Sequence, residues 1–222
     1  NLRRVYFAGG EPMYLPPFID ASSKIREKAP QANISINTNG TRLLRDKDLI
    51  KFKKVNPRLR VSIDGWGKSE EFTRQNTVWE EKLQVMDQYY NEFGIDAWDI
   101  TCNVFTFRHL KELIENLSNR YPSIAIQIRP VVNRQELAIK SMPWHFRKDT
   151  LEWIKQYDTG DAWEKKMPGI DHLLIEANKP YESDLNNKKK MRHLVKYYEN
   201  VGTVKLEEFD PELAEWLFGD DS

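Results

Sequence analysis

Several short segments of this 222-residue chain bring polar side chains to places where a strand gives way to a loop. In Gly9-Gly10-Glu11-Pro12, two glycines let a ligand approach the backbone closely. The carboxylate of Glu11 beside them suits a charge-assisted hydrogen bond from a ligand ammonium; a plain strand-to-helix turn would read the same way. In Ser62-Ile63-Asp64-Gly65 the serine and the aspartate are two residues apart, so on a strand they share a face. Together they suit ribose hydroxyls or an amino-acid moiety, or they cap the following helix. Thr38-Asn39-Gly40-Thr41 could be an Asn-Gly hairpin turn. The helical pattern that follows favours a loop at the carboxyl end of a parallel strand, where active sites are built. Arg74 can neutralise a ligand carboxylate with two parallel hydrogen bonds, or stand as an ordinary surface arginine. Asn103 and Arg129 fall on the polar faces of later strands, where they meet a ligand or hydrogen-bond between strands. Asn37 and Gln127 share such faces.

Other chemistries find little support. The four histidines, His109, His145, His172 and His193, lack metal-ligand spacing such as His-Glu-x-x-His. There is no nucleophile elbow and no phosphate-binding glycine loop. Cys102 is the single cysteine, which rules out an internal disulfide and a multi-cysteine metal site within this chain. It alternates with Ile100 and Val104 and reads as a buried core thiol. With 34 basic and 34 acidic side chains the net charge is zero, so no electrostatic case exists for nucleic acid or an anionic membrane as the main partner. No apolar run approaches the roughly 20 residues of a membrane-spanning helix, and no signal peptide is visible. The expected compartment is a reducing cytoplasm. The chain opens on Asn1 rather than Met, which suggests a fragment or a processed product.

These groups need strands that alternate with helices. Val5–Phe7 reads as a strand; Phe18, Ser22, Ile25 and Ala29 then share a helical face, stopped by Pro30. Ile34, Ile36 and Thr38 alternate, Leu43, Leu49, Ile50 and Phe52 suggest a helix, and Leu59, Val61 and Ile63 alternate again. Trp79, Leu83, Met86, Tyr90 and Phe93 predict a long helix, with a Thr77–Glu80 capping box and a stop at Gly94. Trp98, Ile100, Cys102 and Val104 form a strand, Leu110, Leu113, Ile114 and Leu117 a helix, and Ile124, Ile126 and Ile128 a fifth strand. This order implies βαβ units and a parallel sheet. Right-handed crossovers then leave a doubly wound sheet or a barrel.

The second strand faces are polar: Ser35, Asn37 and Asn39; Arg60, Ser62 and Asp64; Asp99, Thr101 and Asn103; Gln127 and Arg129. A sheet covered on both sides should be apolar on both. An antiparallel sheet with one wet face fits the pattern, but the helix between every pair of strands opposes it. The expected fold is α/β, an open barrel with outer helices and a polar lumen that suits a large polar ligand. The βα rhythm stops after Val132. Residues 1–133 are read as the partial-barrel core and 134–222 as a mostly helical extension, with helices near 145–158, 184–198 and 207–217. Lys188-Lys189-Lys190 reads as a solvated helix face.

Taken in order, the three loop motifs resemble the radical S-adenosylmethionine (radical SAM) superfamily over roughly residues 3–132. The resemblance implies that Gly9, Gly10, Glu11 and Pro12 contact the amino group of SAM. It implies that Thr38-Asn39-Gly40 is the family's turn after its third strand. Ser62 and Asp64 would then lie near the SAM ribose and carboxylate, Arg74 would pair with the carboxylate, and Asn103 would lie near the cofactor. Asn39 joins these as a cofactor-binding candidate, Asn37, Gln127 and Arg129 are substrate-binding candidates, and no metal ligand is assigned. The segments His193–Tyr198 and Phe209–Leu213 resemble the tail of relatives with a short "twitch" extension. Such extensions often hold an auxiliary iron–sulfur cluster through cysteines, which this one lacks. The family's first strand precedes a C-x3-C-x2-C pattern that ligates a [4Fe–4S] cluster, and neither the strand nor the cysteines are in this sequence. The resemblance therefore implies a (β/α)6-type TIM-like barrel without its first strand, inactive alone by the radical route. In the intact protein, an electron donor would reduce the cluster, and SAM would yield a 5′-deoxyadenosyl radical that takes hydrogen from a peptide or small polar substrate. The alternatives are a relative that holds SAM or a nucleotide without cleaving it, a scaffold, and an iron-free enzyme on a closed eight-stranded parallel barrel.

Overall fold

The computed structural model describes residues 2–157, 167–181 and 184–219. Strands β1 (Arg4–Phe7), β2 (Asn33–Thr38), β3 (Arg58–Ser62), β4 (Ala97–Cys102) and β5 (Ala125–Pro130) form one open parallel sheet in that order. Helices α1 (Phe18–Lys28), α2 (Asp46–Val55), α4 (Trp79–Glu92) and α5 (Leu110–Arg120) supply the crossovers, with a short α3 (Lys68–Thr73) after β3. Beyond β5 come α6 (Trp144–Gln156), α7 (Ile170–Ala177), α8 (Leu185–Val201) and α9 (Pro211–Phe218). The sheet is neither antiparallel nor, among the described residues, a closed eight-stranded barrel.

The register sets the two faces. Val5 lies beside Ile34, Ile36 beside Leu59, and Val61 beside Trp98. Ile34, Ile36, Leu59, Val61 and Trp98 are all buried. Each is worth about 1.5–3 kcal/mol relative to exposure. On the other face Tyr6 lies beside Ser35, Asn37 beside Arg60, and Ser62 beside Asp99. The two-faced pattern of the sequence is thus the pattern of the sheet.

The chain divides into two compact units, residues 1–63 with 80–99, and residues 64–79 with 100–222. The first has an aromatic ladder at its core. Phe7 meets Phe18 at 5.0 Å between ring centroids, Phe18 meets Phe52 at 6.3 Å, and Phe52 meets Phe93 at 5.0 Å. The core of the second gathers around Phe72, whose ring meets Phe105, Tyr198 and Phe209.

Several local expectations shift. Leu43 precedes α2 and Ile50 is exposed; α2 buries Phe52 and Val55 instead. The buried stripe of α4 is Trp79, Lys82, Val85, Met86 and Tyr89, so Leu83, Tyr90 and Phe93 flank it. The helix tolerates a lysine on its buried face because the ammonium finds a carbonyl, described below. The start of α4 is capped by Glu71, whose Oε1 accepts the Trp79 N–H at 2.7 Å, rather than by a Thr77–Glu80 box. Gly94 does end the helix region with φ +76°. Helix α7 was not expected from the sequence, and the last residues of the helix expected near 145–158 lie partly outside the described residues. No helix among the described residues is long and apolar enough to cross a membrane.

Candidate functional site

In the first unit the loops after β1 and β2 are held by side-chain bonds to backbone N–H groups. Gly9 and Gly10 have φ +88° and +55°, a conformation that L side chains adopt at a cost and glycine adopts freely. They turn the chain so that Glu11 can serve as the cap of a single 3-10 turn, Pro12–Tyr14. Glu11 Oε1 accepts the Met13 N–H at 3.0 Å and the Thr38 hydroxyl at 2.8 Å; Oε2 accepts the Asn39 N–H at 2.6 Å. A carboxylate offers about four acceptor positions, so three hydrogen bonds fix Glu11 and leave acceptor capacity for a ligand. Pro12 is buried beside it.

The turn after β2 is held from within. Thr38 Oγ1 accepts the Gly40 N–H at 3.1 Å, and Asn39 Oδ1 accepts the Thr41 hydroxyl at 2.7 Å. Asn37 sits on the polar face with its Oδ1 buried and without a hydrogen-bond partner among the described residues. Beside it in register, Arg60 donates from Nε to Asp99 Oδ2 at 2.9 Å and from Nη2 to Asp99 Oδ1. Those hydrogen bonds raise the guanidinium above its ordinary range, against the opposing pull of burial. The Ser62 carbonyl accepts from Lys82 Nζ at 2.9 Å, and the lysine is fully buried. The Ser62 hydroxyl makes no hydrogen bond to a described residue.

In the second unit Asp64 and Arg74 come together. Arg74 Nη2 lies 2.9 Å from Asp64 Oδ2, and Asp64 Oδ1 accepts the Thr101 N–H at 2.7 Å. Glu70, wholly buried on α3, accepts the N–H groups of Asp64 and Gly65 on Oε2 at 2.7 and 2.9 Å. Its Oε1 lies 3.5 Å from Arg74 Nε. Asn103 heads the loop after β4, its Oδ1 accepting the Phe105 N–H at 2.8 Å. Arg129 Nη2 donates to Gln127 Oε1 at 3.1 Å, so these two share an edge of β5's polar face. Cys102 is sealed in β4, and burial pushes its thiol up to about 12.

Every candidate named from the sequence therefore lies in a strand or in the loop that follows one, apart from Arg74 at the end of α3. The sequence reading missed three residues that hold those loops: Thr38 as a partner of Glu11, Lys82 under Ser62, and Glu70 under Asp64. Glu70 carried one signal, an acid in the first turn of α3, but that pattern is common at helix starts.

Residues 1–117 match the family model described as the radical SAM superfamily. The chain belongs to the radical SAM superfamily. No curated protein matches it in sequence. Among solved structures, this radical SAM chain is similar to native anSMEcpe with bound AdoMet and Cp18Cys peptide, at 15% identity and TM-score 0.55, over 84% of this chain and 56% of that one. It is also similar to polyhistidine-tagged anSMEcpe with bound AdoMet, at 13% identity and TM-score 0.57, over 79% and 54% of the two chains. A domain of pyruvate-formate lyase-activating enzyme from Bacteroides vulgatus ATCC 8482 matches at 16% identity and TM-score 0.50, over 69% of this chain and 93% of that domain. The chain spans about half the length of the anSMEcpe chains it matches. At these identities the likeness is one of fold.

Proposed function

We propose that this chain is the SAM-holding body of a radical SAM enzyme. The observation that carries the reading is the Glu11 carboxylate, fixed by three hydrogen bonds from two successive loops and still able to accept another. The donor set fits SAM group by group. Glu11 and the open backbone of Gly9 and Gly10 suit its ammonium, with Pro12 and Asn39 shaping that loop pair. The Ser62 hydroxyl suits its ribose, and Arg74, held by Asp64, suits its carboxylate. Asn103 heads the next loop and suits a polar edge of the same molecule. Bound here and given one electron by a cluster that these residues do not ligate, SAM would supply a 5′-deoxyadenosyl radical, with methionine as the other product; the chain's own part would be to bind, orient and exclude water.

The residues present do not fit a [4Fe–4S] cluster. Thiolates ligate such clusters, and the only cysteine is the core thiol Cys102. Among the described residues no group of three His, Cys, Asp or Glu side chains could hold a metal ion. Cluster ligation and the electron donor that serves it are therefore not assigned to these residues. Asn37, Gln127 and Arg129, on polar strand faces, support a peptide or other small polar molecule as substrate. The likeness of α8 and α9 to a twitch extension belongs to the same reading, as does a cytoplasmic setting with neither nucleic acid nor membrane as partner.

Calorimetric titration of the chain with SAM tests this. The expected result is micromolar binding that weakens at least about tenfold in Glu11→Ala, the loss of one charge-assisted bond, with an unchanged circular dichroism spectrum. No binding by the unaltered chain, or equal binding by the variant, overturns the reading; the first of these leaves a scaffold.

A further inference from the structure

We infer that Glu70 is the positioning residue for Arg74, a role that rests on the reading that Arg74 meets the SAM carboxylate. Glu70 is fully buried, and a buried carboxylate is tolerated only when paired and hydrogen-bonded. Here the bonding is divided between its two oxygens. Oε2 holds the main chain of the Ser62–Gly65 turn through the Asp64 and Gly65 N–H groups, at 2.7 and 2.9 Å. Oε1 faces Arg74 Nε at 3.5 Å. Asp64 repeats the arrangement: Oδ1 holds the main chain of β4 at Thr101, and Oδ2 holds Arg74 Nη2 at 2.9 Å.

Two carboxylates thus flank one guanidinium, and each is itself anchored to a strand end or turn. Arg74 Nε is buried and makes no hydrogen bond, so the Glu70 contact there is an ion pair at 3.5 Å rather than an aligned bond. Nε and Nη2 of Arg74 thus face Glu70 and Asp64, on a side chain that is 23% exposed and so within reach of a ligand. Glutamine at position 70 would keep an acceptor oxygen for the turn and lose the charge that orients Arg74. Alanine would lose both.

The test compares wild type, Glu70→Gln and Glu70→Ala with two ligands, SAM and decarboxylated SAM. Amide hydrogen exchange at Asp64 and Gly65, and the 15N resonance of Arg74 Nε–H, are followed without ligand. Glu70→Gln should weaken SAM binding about five- to tenfold, the worth of a misdirected charge-assisted contact. Its affinity for decarboxylated SAM should stay within about twofold of wild type, since that ligand has no carboxylate for Arg74 to meet. The Asp64 and Gly65 amides should remain protected in Glu70→Gln and exchange faster in Glu70→Ala. Unchanged SAM affinity in Glu70→Gln overturns the inference, as does an equal loss for both ligands, which marks a merely structural glutamate. If wild type binds neither ligand, the SAM reading fails. The free-protein spectra then decide alone: a shifted Arg74 Nε–H in Glu70→Gln sustains the positioning of Arg74, and an unshifted one overturns it.

Discussion

Cys102 gives a prediction that can be worked through in numbers. Its thiol is pushed from 9.0 to about 12, chiefly by burial; a bond to Thr106 pulls the other way, and the Asp64 charge adds to the rise. The folded thiol therefore keeps its proton at pH values where the unfolded thiol has lost it. Between pH 9 and 12 the unfolded state binds fewer protons, so stability falls as pH rises. The contribution is fully present below about pH 9. At pH 10 the unfolded thiol is about nine-tenths ionised, and the linkage relation gives a loss of about 1.4 kcal/mol. Other groups titrate in this range, so the informative quantity is the difference between wild type and Cys102→Ala. The cavity left by the alanine is independent of pH and cancels. Urea denaturation at pH 8 and pH 10 should show wild type losing about 1.4 kcal/mol more than the variant. Equal losses would refute the assignment of Cys102 as a sealed core thiol and reopen it as a ligand.

Two further predictions concern the loops and the polar face. Gly40 has φ +67°, and a Cβ there would lie 2.8 Å from Val61 Cγ1, whereas Gly94 has φ +76° with open space around it. Gly94→Ala should cost about 1–2 kcal/mol for the left-handed backbone alone. Gly40→Ala should cost about 2–5 kcal/mol, because overpacking adds to the strain; equal urea midpoints for the two variants would contradict the close approach. Arg60→Met should destabilise by about 1–3 kcal/mol, below the cost of breaking a fully buried pair because the Arg60 side chain is partly solvated. A urea midpoint for Arg60→Met equal to that of wild type would show that Asp99 does not depend on the pair.

The sequence carried the sheet well because its two periods are strong. Ile34 and Ile36, then Leu59 and Val61, alternate on short strands, and Pro30, Pro57 and Gly94 break the chain between elements. Faces of helices were harder. Lys82 reads as a solvent residue by type, yet its ammonium lies beneath Ser62, so the apparent stripe on α4 was displaced by one position. Ile50 in α2 is apolar but exposed for the converse reason: one apolar residue on a short amphipathic helix need not face the core. Helix α7 begins after Gly169 at φ +94°, a start without the side-chain cap that would announce it. In the candidate site the residues with distinctive motifs were readable, but their supports were not. Thr38 and Glu70 act through backbone N–H groups and a partner carboxylate or guanidinium brought near by folding. Those contacts span 27 residues from Thr38 to Glu11, and from Glu70 they run to the turn before its own helix.

The central claim is that the loops following the strands hold SAM, and mapping the ligand onto the backbone by 15N–1H spectra tests it most directly. Titrated with SAM, the amides of Gly10, Met13, Asn39 and Ser62 should shift together along one binding curve. A null titration, or shifts confined to the cleft lined by Leu2, Lys24, Lys28 and Gln31, would contradict the account.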